Sequence, residues 1–409
     1  MKRVVITGIG LNSPLGNSYE ELYESLKAEK SGIVHIPEWE EIEDLSTKIG
    51  GIVKDLDFKG EIPRKFRRSM GRVAQLNAIS TSDAIADANI SKELLSSNRC
   101  GIAFGSTMGA DETLFSWISD ITKNNSYKGQ NSMAFLQLMS HTVAANIAQM
   151  FEIKGRNIPT CSACTSSAQA IGAGYESVKY GLSDIMICGG SEGQHHLSAG
   201  VFDIMGACTS SHNHEPELSA RPFDESRDGL VVSEGSGAVV LEELEHALAR
   251  GATIYGEIAG YATSCDGSHI TTPSKDGMQS VMQTSLENAN LNPSDIDYIN
   301  AHATSTPKGD IAESHATFNL FGDSVPVSST KGHMGHLLGG CGVVESVICL
   351  IALNKSLLPK TMNFNKLDSE CAKINVLGQN QTKDCKMVMN NNFAFGGINT
   401  SLIFKKYKG

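Results

Sequence analysis

The sequence predicts an α/β protein. Apolar runs of strand length alternate with amphipathic runs of helical period along the whole chain, and no low-complexity linker interrupts the alternation. Such alternation is typical of parallel strands that are joined by helices. With 409 residues, the chain is long enough for one large domain or for two closely packed halves.

The predicted strands are rich in Val, Ile and aromatic residues and are bounded by turn-forming residues. In chain order they cover residues 3–10, 99–106, 185–190, 236–243, 255–262, 295–302, 325–330, 387–395 and 400–404. Two helical patterns lie between them, at residues 71–90 and 339–355.

A faint repeat indicates that the chain is duplicated. STSDAIADANIS leads to the predicted strand RCGIAFGS, and QTSLENANLN leads in the same way to DIDYINAHATS. Each unit is a helix that ends in Ala-Asn, followed by a strand and a loop of small residues. We therefore expect two similar halves, residues 1–250 and 251–409.

Composition limits the classes of function. The net charge of −11 argues against general nucleic-acid binding. One basic segment, IPRKFRRSMGR at residues 62–72, could still contact an acidic partner. No run reaches the roughly 18 apolar residues of a membrane span. The ten cysteines have no framework spacing, and the start MKRVVITGIG is typical of a first strand rather than a signal peptide, so we expect a cytoplasmic protein with reduced thiols.

The stretch IPTCSACTSSAQAIG contains a CxxC pair, Cys161 and Cys164, which allows several interpretations. A structural zinc site needs about four ligands, and no second CxxC occurs. A redox pair is a second possibility, and an inert buried cysteine is a third. The fourth is a single nucleophile, because the small-residue helix after Cys164 would direct free N–H groups and a positive dipole end at that sulfur. Those groups would stabilise a thiolate and an oxyanion.

Two histidines favour the nucleophile. His302 follows a predicted strand in NAHATSTPKGD, and His336 lies in the Gly-rich turn of STKGHMGHLLGGCG, five residues after Lys331. A cysteine with two such histidines is a plausible set of nucleophile and electrophiles. Near the C-terminus, NNFAFGGINTSLIF places Gly396 and Gly397 between two strands, where a backbone N–H could approach a ligand closely.

Taken together, five ordered motifs resemble the β-ketoacyl-(acyl carrier protein) synthases of the elongating KAS I/KAS II type. They are ACTSSAQAIG, RPFDESRDGLVVSEGSGAVVLEELEHALARGA, NAHATSTPKGDIAE, STKGHMGHLLGGCGVVES and NNFAFGGINTSLIF. The resemblance runs from Val4 to about Phe404. It implies the thiolase-like fold, with two βαβαβαββ halves stacked as α-β-α-β-α and a dimer formed through the N-terminal half.

The resemblance also implies a role for individual residues. Cys164, in the N-terminal half, matches the nucleophile that accepts the acyl chain, and His302 and His336, in the C-terminal half, complete a Cys-His-His triad. Lys331 and Glu345 match residues that order the site. Cys161 has no assigned role. The remaining matches are the oxyanion hole (N–H groups of Cys164 and Phe395), the phosphopantetheine contacts (Thr304, Thr306), the gate (Phe395, Gly396, Gly397), the acyl pocket (Thr107, Met108, Phe202) and the carrier-docking residues (Lys65, Arg68).

The implied reaction is a decarboxylative Claisen condensation of a Cys-bound acyl chain with malonyl-(acyl carrier protein). It needs no metal and no cofactor, since decarboxylation supplies the carbanion and the substrates travel on the phosphopantetheine of the carrier protein. The implied partners are that carrier and a second subunit, either a copy of this chain or a chain-length factor that lacks the cysteine.

Two segments, SCDGSHITTP and KGHMGHLLGGCG, are similar to those of synthases from aryl polyene and type II polyketide pathways. Housekeeping fatty-acid elongation is the alternative pathway. A non-catalytic chain-length factor is a rival of another class, which the presence of all three triad residues disfavours. A thiolase would carry a second catalytic cysteine that NNFAFGG lacks, and a cysteine hydrolase remains a minor alternative.

Overall fold

The computed structural model describes all residues from Met1 to Gly409. Its strands are β1 (Val4–Asn12), β2 (Ile33–His35), β3 (Ile49–Gly51), β4 (Cys100–Gly105), β5 (Asn157–Thr160), β6 (Ile185–Glu192), β7 (Gly235–Glu243), β8 (Gly256–Cys265), β9 (Tyr298–Asn300), β10 (Pro326–Ser328), β11 (Leu357–Leu358), β12 (Asn375–Val376), β13 (Gln381–Thr382), β14 (Met387–Ala394) and β15 (Ile398–Lys405). Its helices are α1 (Tyr19–Lys27), α2 (Phe58–Glu61), α3 (Arg64–Arg67), α4 (Arg72–Asp87), α5 (Lys92–Leu95), α6 (Asp111–Asn124), α7 (Ala134–Leu138), α8 (Thr142–Phe151), α9 (Ser166–Lys179), α10 (His196–Ile204), α11 (Leu244–Ala249), α12 (Lys275–Ala289), α13 (Pro307–Phe321), α14 (Lys331–Met334) and α15 (Cys341–Lys355).

The two halves share one topology. The first half runs β1-α4-β4-α8-β5-α9-β6-β7, and the second runs β8-α12-β9-α13-β10-α15-β14-β15. The strands lie side by side as β5-β4-β6-β7-β1 and as β10-β9-β14-β15-β8, which is the same order in both. Parallel and antiparallel pairs also correspond, so the predicted duplication is confirmed.

The halves are stacked in five layers. Helices α9 and α15 pack on each other, and each also contacts strands of both halves, so this pair forms the central layer. Helices α4 and α8 cover the outer face of the first half, and α12 and α13 cover that of the second. Strands β1 and β8 pair at Val5–Glu257 and Ile6–Gly256, which joins the two sheets edge to edge. This is the thiolase-like arrangement that the resemblance implies.

The nine predicted strands and both predicted helical patterns are confirmed, with ends that shift by up to three residues. Six short strands were not predicted: β2, β3, β5, β11, β12 and β13. Strand β5 has four residues including Pro159, and proline is tolerated there because β5 lies at the end of the sheet. The predicted junction near residue 250 falls between α11 and β8.

The central helix α15 has no polar face. Every residue from Cys341 to Leu353 is buried, as expected for a helix that is apolar all round. The run Leu338–Lys355 is long and apolar enough to cross a membrane, but 89% of it is buried inside the protein. This burial identifies it as a core helix.

Glycine allows the two central helices to approach closely. A Cβ on Gly342 of α15 would lie 2.5 Å from the backbone nitrogen of Ala168 in α9, and a Cβ on Gly172 of α9 would lie 1.9 Å from the ring of Tyr261. Neither position has room for a side chain, because close-packed interiors accommodate extra atoms only by strain.

We therefore expect Gly342→Ala to lower the free energy of unfolding by about 1–3 kcal/mol, the usual cost of overpacking a core. Gly200→Ala is the matched control, because it also lies in a helix but its added Cβ would meet nothing nearer than 3.9 Å. Thermal and denaturant unfolding of both variants measure the difference. Equal stability of the two variants would contradict the close-packing argument.

Candidate active site

Cys164 lies on a sharp turn between β5 and α9. A single 3₁₀ turn, Ala163–Thr165, precedes the helix, which begins at Ser166. Ala163 has φ of +49°, a left-handed conformation that is strained for a residue with a Cβ. Ser166 stabilises the turn, because its Oγ donates to the carbonyl of Ala163 at 2.7 Å and accepts from the N–H of Ser162 at 3.0 Å. The turn thus places Cys164 at the wall of a cavity, just before the helix begins.

The two histidines meet Cys164 from the second half of the chain. His302 follows β9, and His336 lies between α14 and the 3₁₀ turn Leu338–Gly340. His336 Nε2 lies 3.0 Å from Cys164 Sγ. The rings of His302 and His336 meet edge to face, 5.3 Å apart between centroids. One ligand-type atom of each of the three residues lies within 4.8 Å of the other two, so the predicted triad is assembled.

Burial determines the charge of this triad. It raises the pKa of the Cys164 thiol to about 12, although Lys331 and the backbone N–H of Cys164 act in the opposite direction. Burial also lowers the pKa of His302 and His336 well below 6.5, and the positive charge of Lys331 lowers both further. The backbone N–H at the helix start acts in the predicted direction, towards a thiolate, but desolvation outweighs it and the net shift in the pKa of Cys164 is upward. Cys164 rests as a neutral thiol beside two neutral imidazoles.

Lys331 and Glu345 form a fully buried ion pair close to the triad. Asn392 donates to the second carboxylate oxygen of Glu345 at 2.6 Å. Burial lowers the pKa of Lys331, but Glu345 outweighs it and the net shift is upward. Lys331 therefore keeps its charge, which in turn favours neutral histidines.

Cys164 and both histidines open into a cavity of about 490 Å³. Thr304 and Thr306, the predicted phosphopantetheine contacts, also line it, with their hydroxyl oxygens 3.0 Å apart. A cleft of this size is large enough for a small acyl unit and part of a long flexible arm. The structure thus brings the predicted triad and the predicted arm contacts to one cavity.

The predicted gate stands at the same cavity. Phe395 is 38% exposed, and its ring lies 5.7 Å from that of Phe202. Gly396 and Gly397 both have positive φ, which lets the turn fold back after β14. Neither Cys164 nor Phe395 donates a hydrogen bond from its backbone N–H inside the chain. Both N–H groups are therefore free for the oxyanion that the sequence analysis assigned to them.

The cavity includes only one of the three residues predicted for the acyl pocket. Thr107 and Met108 do not line the cavity of Cys164. Their backbone N–H groups donate to the buried carboxylate of Glu192 at the end of β6, at 2.7 and 3.2 Å, which holds their loop against that strand. Phe202 does line the cavity, but it packs beside the gate rather than forming a far wall.

The predicted docking residues Lys65 and Arg68 are exposed at α3 and its C-terminal end. Neither forms a salt bridge, although Lys65 Nζ lies 4.6 Å from the ring centroid of Phe66. Both charges are thus available to a partner.

Sequence reasoning missed two residues that contact the histidines. Glu313 of α13 accepts hydrogen bonds from the backbone N–H groups of His302 and Ala303, at 2.8 and 2.6 Å, and so fixes the His302 loop. Cys341 places Sγ 2.9 Å from Nδ1 of His336. An acid nearly two helical turns into the helix that begins at Pro307 is a signal for the first, whereas the sequence shows Cys341 only as a helical residue.

Comparisons with known proteins agree with this geometry. Two family models match, the N-terminal domain of beta-ketoacyl synthase over residues 1–247 and its C-terminal domain over residues 255–365. The chain is 38% identical over 411 residues to 3-oxoacyl-[acyl-carrier-protein] synthase 1 of Haemophilus influenzae and 36% identical over 413 residues to 3-oxoacyl-[acyl-carrier-protein] synthase 2 of Synechocystis, with at least 99% of each chain covered.

Solved structures give the same result. A beta-ketoacyl synthase from Burkholderia phymatum matches with a TM-score of 0.96 and 41% identity, and the ishigamide ketosynthase/chain length factor matches with 0.93 and 28%, each over the full length of both chains. With its duplicated fold, its assembled Cys-His-His triad and full-length relatives above 35% identity, the chain belongs to the beta-ketoacyl synthase family, whose members are acyltransferases.

Proposed function

We propose that the protein extends an acyl chain by decarboxylative condensation with malonyl-(acyl carrier protein). The observation that carries this proposal is the contact of a neutral Cys164 thiol with His336, beside His302, at the wall of a cavity that also holds Thr304 and Thr306. A nucleophile, two imidazoles and hydroxyls for a phosphopantetheine arm are the groups this chemistry requires. The condensation product, read by mass spectrometry on the carrier, tests it.

In the first half-reaction, Cys164 Sγ attacks the thioester carbonyl of an acyl carrier. A carbon–sulfur bond to Cys164 forms, the bond to the phosphopantetheine sulfur breaks, and the thiol proton passes through an imidazole to the departing sulfur. The N–H groups of Cys164 and Phe395 donate to the oxygen that becomes negative. Because the thiol rests neutral, no buried charge has to be maintained before the substrate arrives.

In the second half-reaction, the malonyl thioester loses carbon dioxide and becomes an enolate. The enolate carbon attacks the acyl carbonyl on Cys164, a carbon–carbon bond forms, and Cys164 leaves as a thiolate that regains a proton from solvent. Neutral imidazoles of His302 and His336 donate to the enolate oxygen. By analogy with oxyanion holes, removal of one such donor is expected to raise the activation free energy by about 2.7–4 kcal/mol.

We also propose that the reaction uses neither a metal nor a cofactor. The three triad atoms could in geometry hold a metal ion, because they lie within 4.8 Å of one another. The proposed chemistry instead requires His336 Nε2 to stay free for hydrogen bonding and Cys164 Sγ for acylation. The electron pair for bond formation comes from the carbon–carbon bond that breaks when the malonyl group loses carbon dioxide. The ten free cysteines support a reducing, cytoplasmic setting.

A second subunit is part of the proposal. Strand β5 ends the eleven-stranded sheet, and its outer edge has no partner strand in the single chain. Such an edge is a template for pairing with another chain. We propose that it joins the N-terminal half to a second copy or to a chain-length factor. The mass in solution, alone and after co-expression with a candidate sister subunit, distinguishes these two assemblies.

For the pathway, we propose an aryl polyene or type II polyketide route, with fatty-acid elongation as the alternative. Support comes from SCDGSHITTP and KGHMGHLLGGCG, and from the 28% identity and TM-score of 0.90 to a ketosynthase that was solved with its type II polyketide carrier protein. The alternative has support from relatives of 36–38% identity that are named 3-oxoacyl-[acyl-carrier-protein] synthases. Product lengths and unsaturation with each type of carrier distinguish the two routes.

Cys164→Ala is expected to abolish acyl loading, while Cys161→Ala retains most of it, because only Cys164 contacts His336. Cys161 is the matched control, since it lies three residues before Cys164 and its Sγ donates to the carbonyl of Thr107, at 3.4 Å, rather than contacting His336. Intact-mass measurement after incubation with an acyl carrier reads the adduct. An adduct that persists on Cys164→Ala would contradict the assignment.

The condensation rate is expected to stay flat on the acidic side of neutrality. Because the pKa of both histidines lies well below 6.5, lowering the pH from about 8 to about 6 leaves them neutral and able to act. We expect kcat to change by less than about twofold across this range. Measurement at saturating carrier protein separates this effect from carrier binding. A fall in kcat at acid pH with an apparent pKa near 6.5 would show that the pKa values of the two imidazoles are not lowered.

Charge reversal of both Lys65 and Arg68 to Glu is expected to raise the KM for an acidic carrier about tenfold at low salt, with kcat little changed. The reason is that exposed charges act mainly on encounter and affinity, and the effect should shrink as salt screens them. The double reversal of Lys373 and Lys405 is the control, because it changes the net charge equally at other exposed positions. Equal KM values for the two double variants would show that Lys65 and Arg68 are ordinary solvated surface residues with no docking role.

A further inference from the structure

Each ring nitrogen of His336 faces one sulfur atom. Nε2 lies 3.0 Å from Cys164 Sγ, at the cavity, and Nδ1 lies 2.9 Å from Cys341 Sγ, on the side away from it. His336 is 1% exposed and Cys341 is fully buried, so water does not compete for these contacts. The 3₁₀ turn Leu338–Gly340 folds the chain back, which brings the first residue of α15 against the ring.

Which atom donates in the contact between Nδ1 and Cys341 Sγ depends on the protonation state of Cys341 and the tautomer of His336. Burial raises the pKa of Cys341 well above 9.0, so it carries S–H. The Sγ of Cys341 has no hydrogen-bond partner other than Nδ1 of His336, so its S–H is available to donate to that nitrogen. A neutral imidazole has one N–H and one acceptor nitrogen, and the neighbour of one nitrogen determines the state of the other.

We propose that Cys341 is a positioning residue, whose S–H donates to Nδ1 of His336 and so keeps the ring hydrogen on Nε2, where it points at Cys164 Sγ and the cavity. The reaction part of this proposal rests on the proposed condensation. His336 is then a dedicated hydrogen-bond donor to the enolate oxygen.

The same contact separates the roles of the two histidines. Since Nε2 of His336 already carries hydrogen, the proton of the Cys164 thiol goes to His302 and from there to the departing phosphopantetheine sulfur. The ring of His302 forms no hydrogen bond inside the chain, and its buried Nδ1 has no partner. No neighbour therefore fixes its tautomer, and His302 can accept a proton in one half-reaction and donate in the other.

The tautomer of His336 is measured directly by ¹⁵N NMR on protein labelled at its histidines, with His336→Gln to assign the signal. We expect the Nε2–H tautomer in the unaltered protein and in Cys341→Ser, whose hydroxyl also donates, and a mixture of tautomers in Cys341→Ala. Cys349→Ala is the matched control, because it removes an equally buried thiol of the same helix that contacts the carbonyl of Met389 instead.

Kinetics give the second measurement. Cys341→Ala is expected to lower kcat for condensation about fivefold, the factor that one typical hydrogen bond represents, with the KM for malonyl-(acyl carrier protein) unchanged. Cys341→Ser should recover most of the loss, and Cys349→Ala should show none. If instead Cys341→Ala keeps the Nε2–H tautomer, or if Cys341→Ser is as slow as Cys341→Ala, the proposal is wrong.

The design separates this proposal from the proposed function. If the unaltered protein forms no condensation product, the proposed function fails while the tautomer is still read from NMR. If the unaltered protein condenses but its His336 carries hydrogen on Nδ1, the function stands and the role of Cys341 is overturned. Should Cys341→Ala not fold, the tautomer of the unaltered protein and of Cys341→Ser still decides.

Discussion

The contact between the two central helices determines where the chemistry can occur. Helix α9 begins two residues after Cys164, and α15 begins five residues after His336. Gly342 of α15 lies against the backbone of Ala168 in α9, so the starts of both helices come together at one place. A thiol from one half of the duplicated chain and an imidazole from the other half therefore meet at 3.0 Å. The fold is symmetric, but the loops that it brings together at this point are not.

The depth of this contact explains the electrostatics of the site. Desolvation disfavours the charged form of every group, which raises the pKa of Cys164 and lowers that of His302 and His336. Lys331 and Glu345 remain charged at the same depth because each neutralises the charge of the other. Asn392 also donates a hydrogen bond to the second oxygen of the Glu345 carboxylate. A neutral triad beside a fixed positive charge suits a reaction in which negative charge appears only transiently, on substrate oxygen and on the departing sulfur.

Much of this arrangement could be predicted from the sequence. The strands have clear period and composition, and the positions of Cys164, His302 and His336 follow from ordered motifs that extend over the whole chain. Six short strands were not predicted, because two to four residues carry little β signal and β5 also contains a proline. The contacts of Thr107 and Met108 with Glu192 could not be predicted, because Glu192 lies 84 residues or more away along the chain. Contacts of that kind depend on the folded structure and leave no local pattern.

The contact between Cys341 and His336 could not be predicted from the sequence either. Its place in an apolar helical run predicts burial, and burial is observed, but the run does not indicate that the first residue of that helix faces a ring five residues earlier. The turn Leu338–Gly340 creates the contact, and this turn is possible because Gly339 and Gly340 pass close to the backbones of Ser106 and Gly235, respectively. The glycines that let the central helix enter the core thus also place a thiol behind His336. The packing of the central helix and the position of a thiol beside His336 therefore depend on the same few glycines.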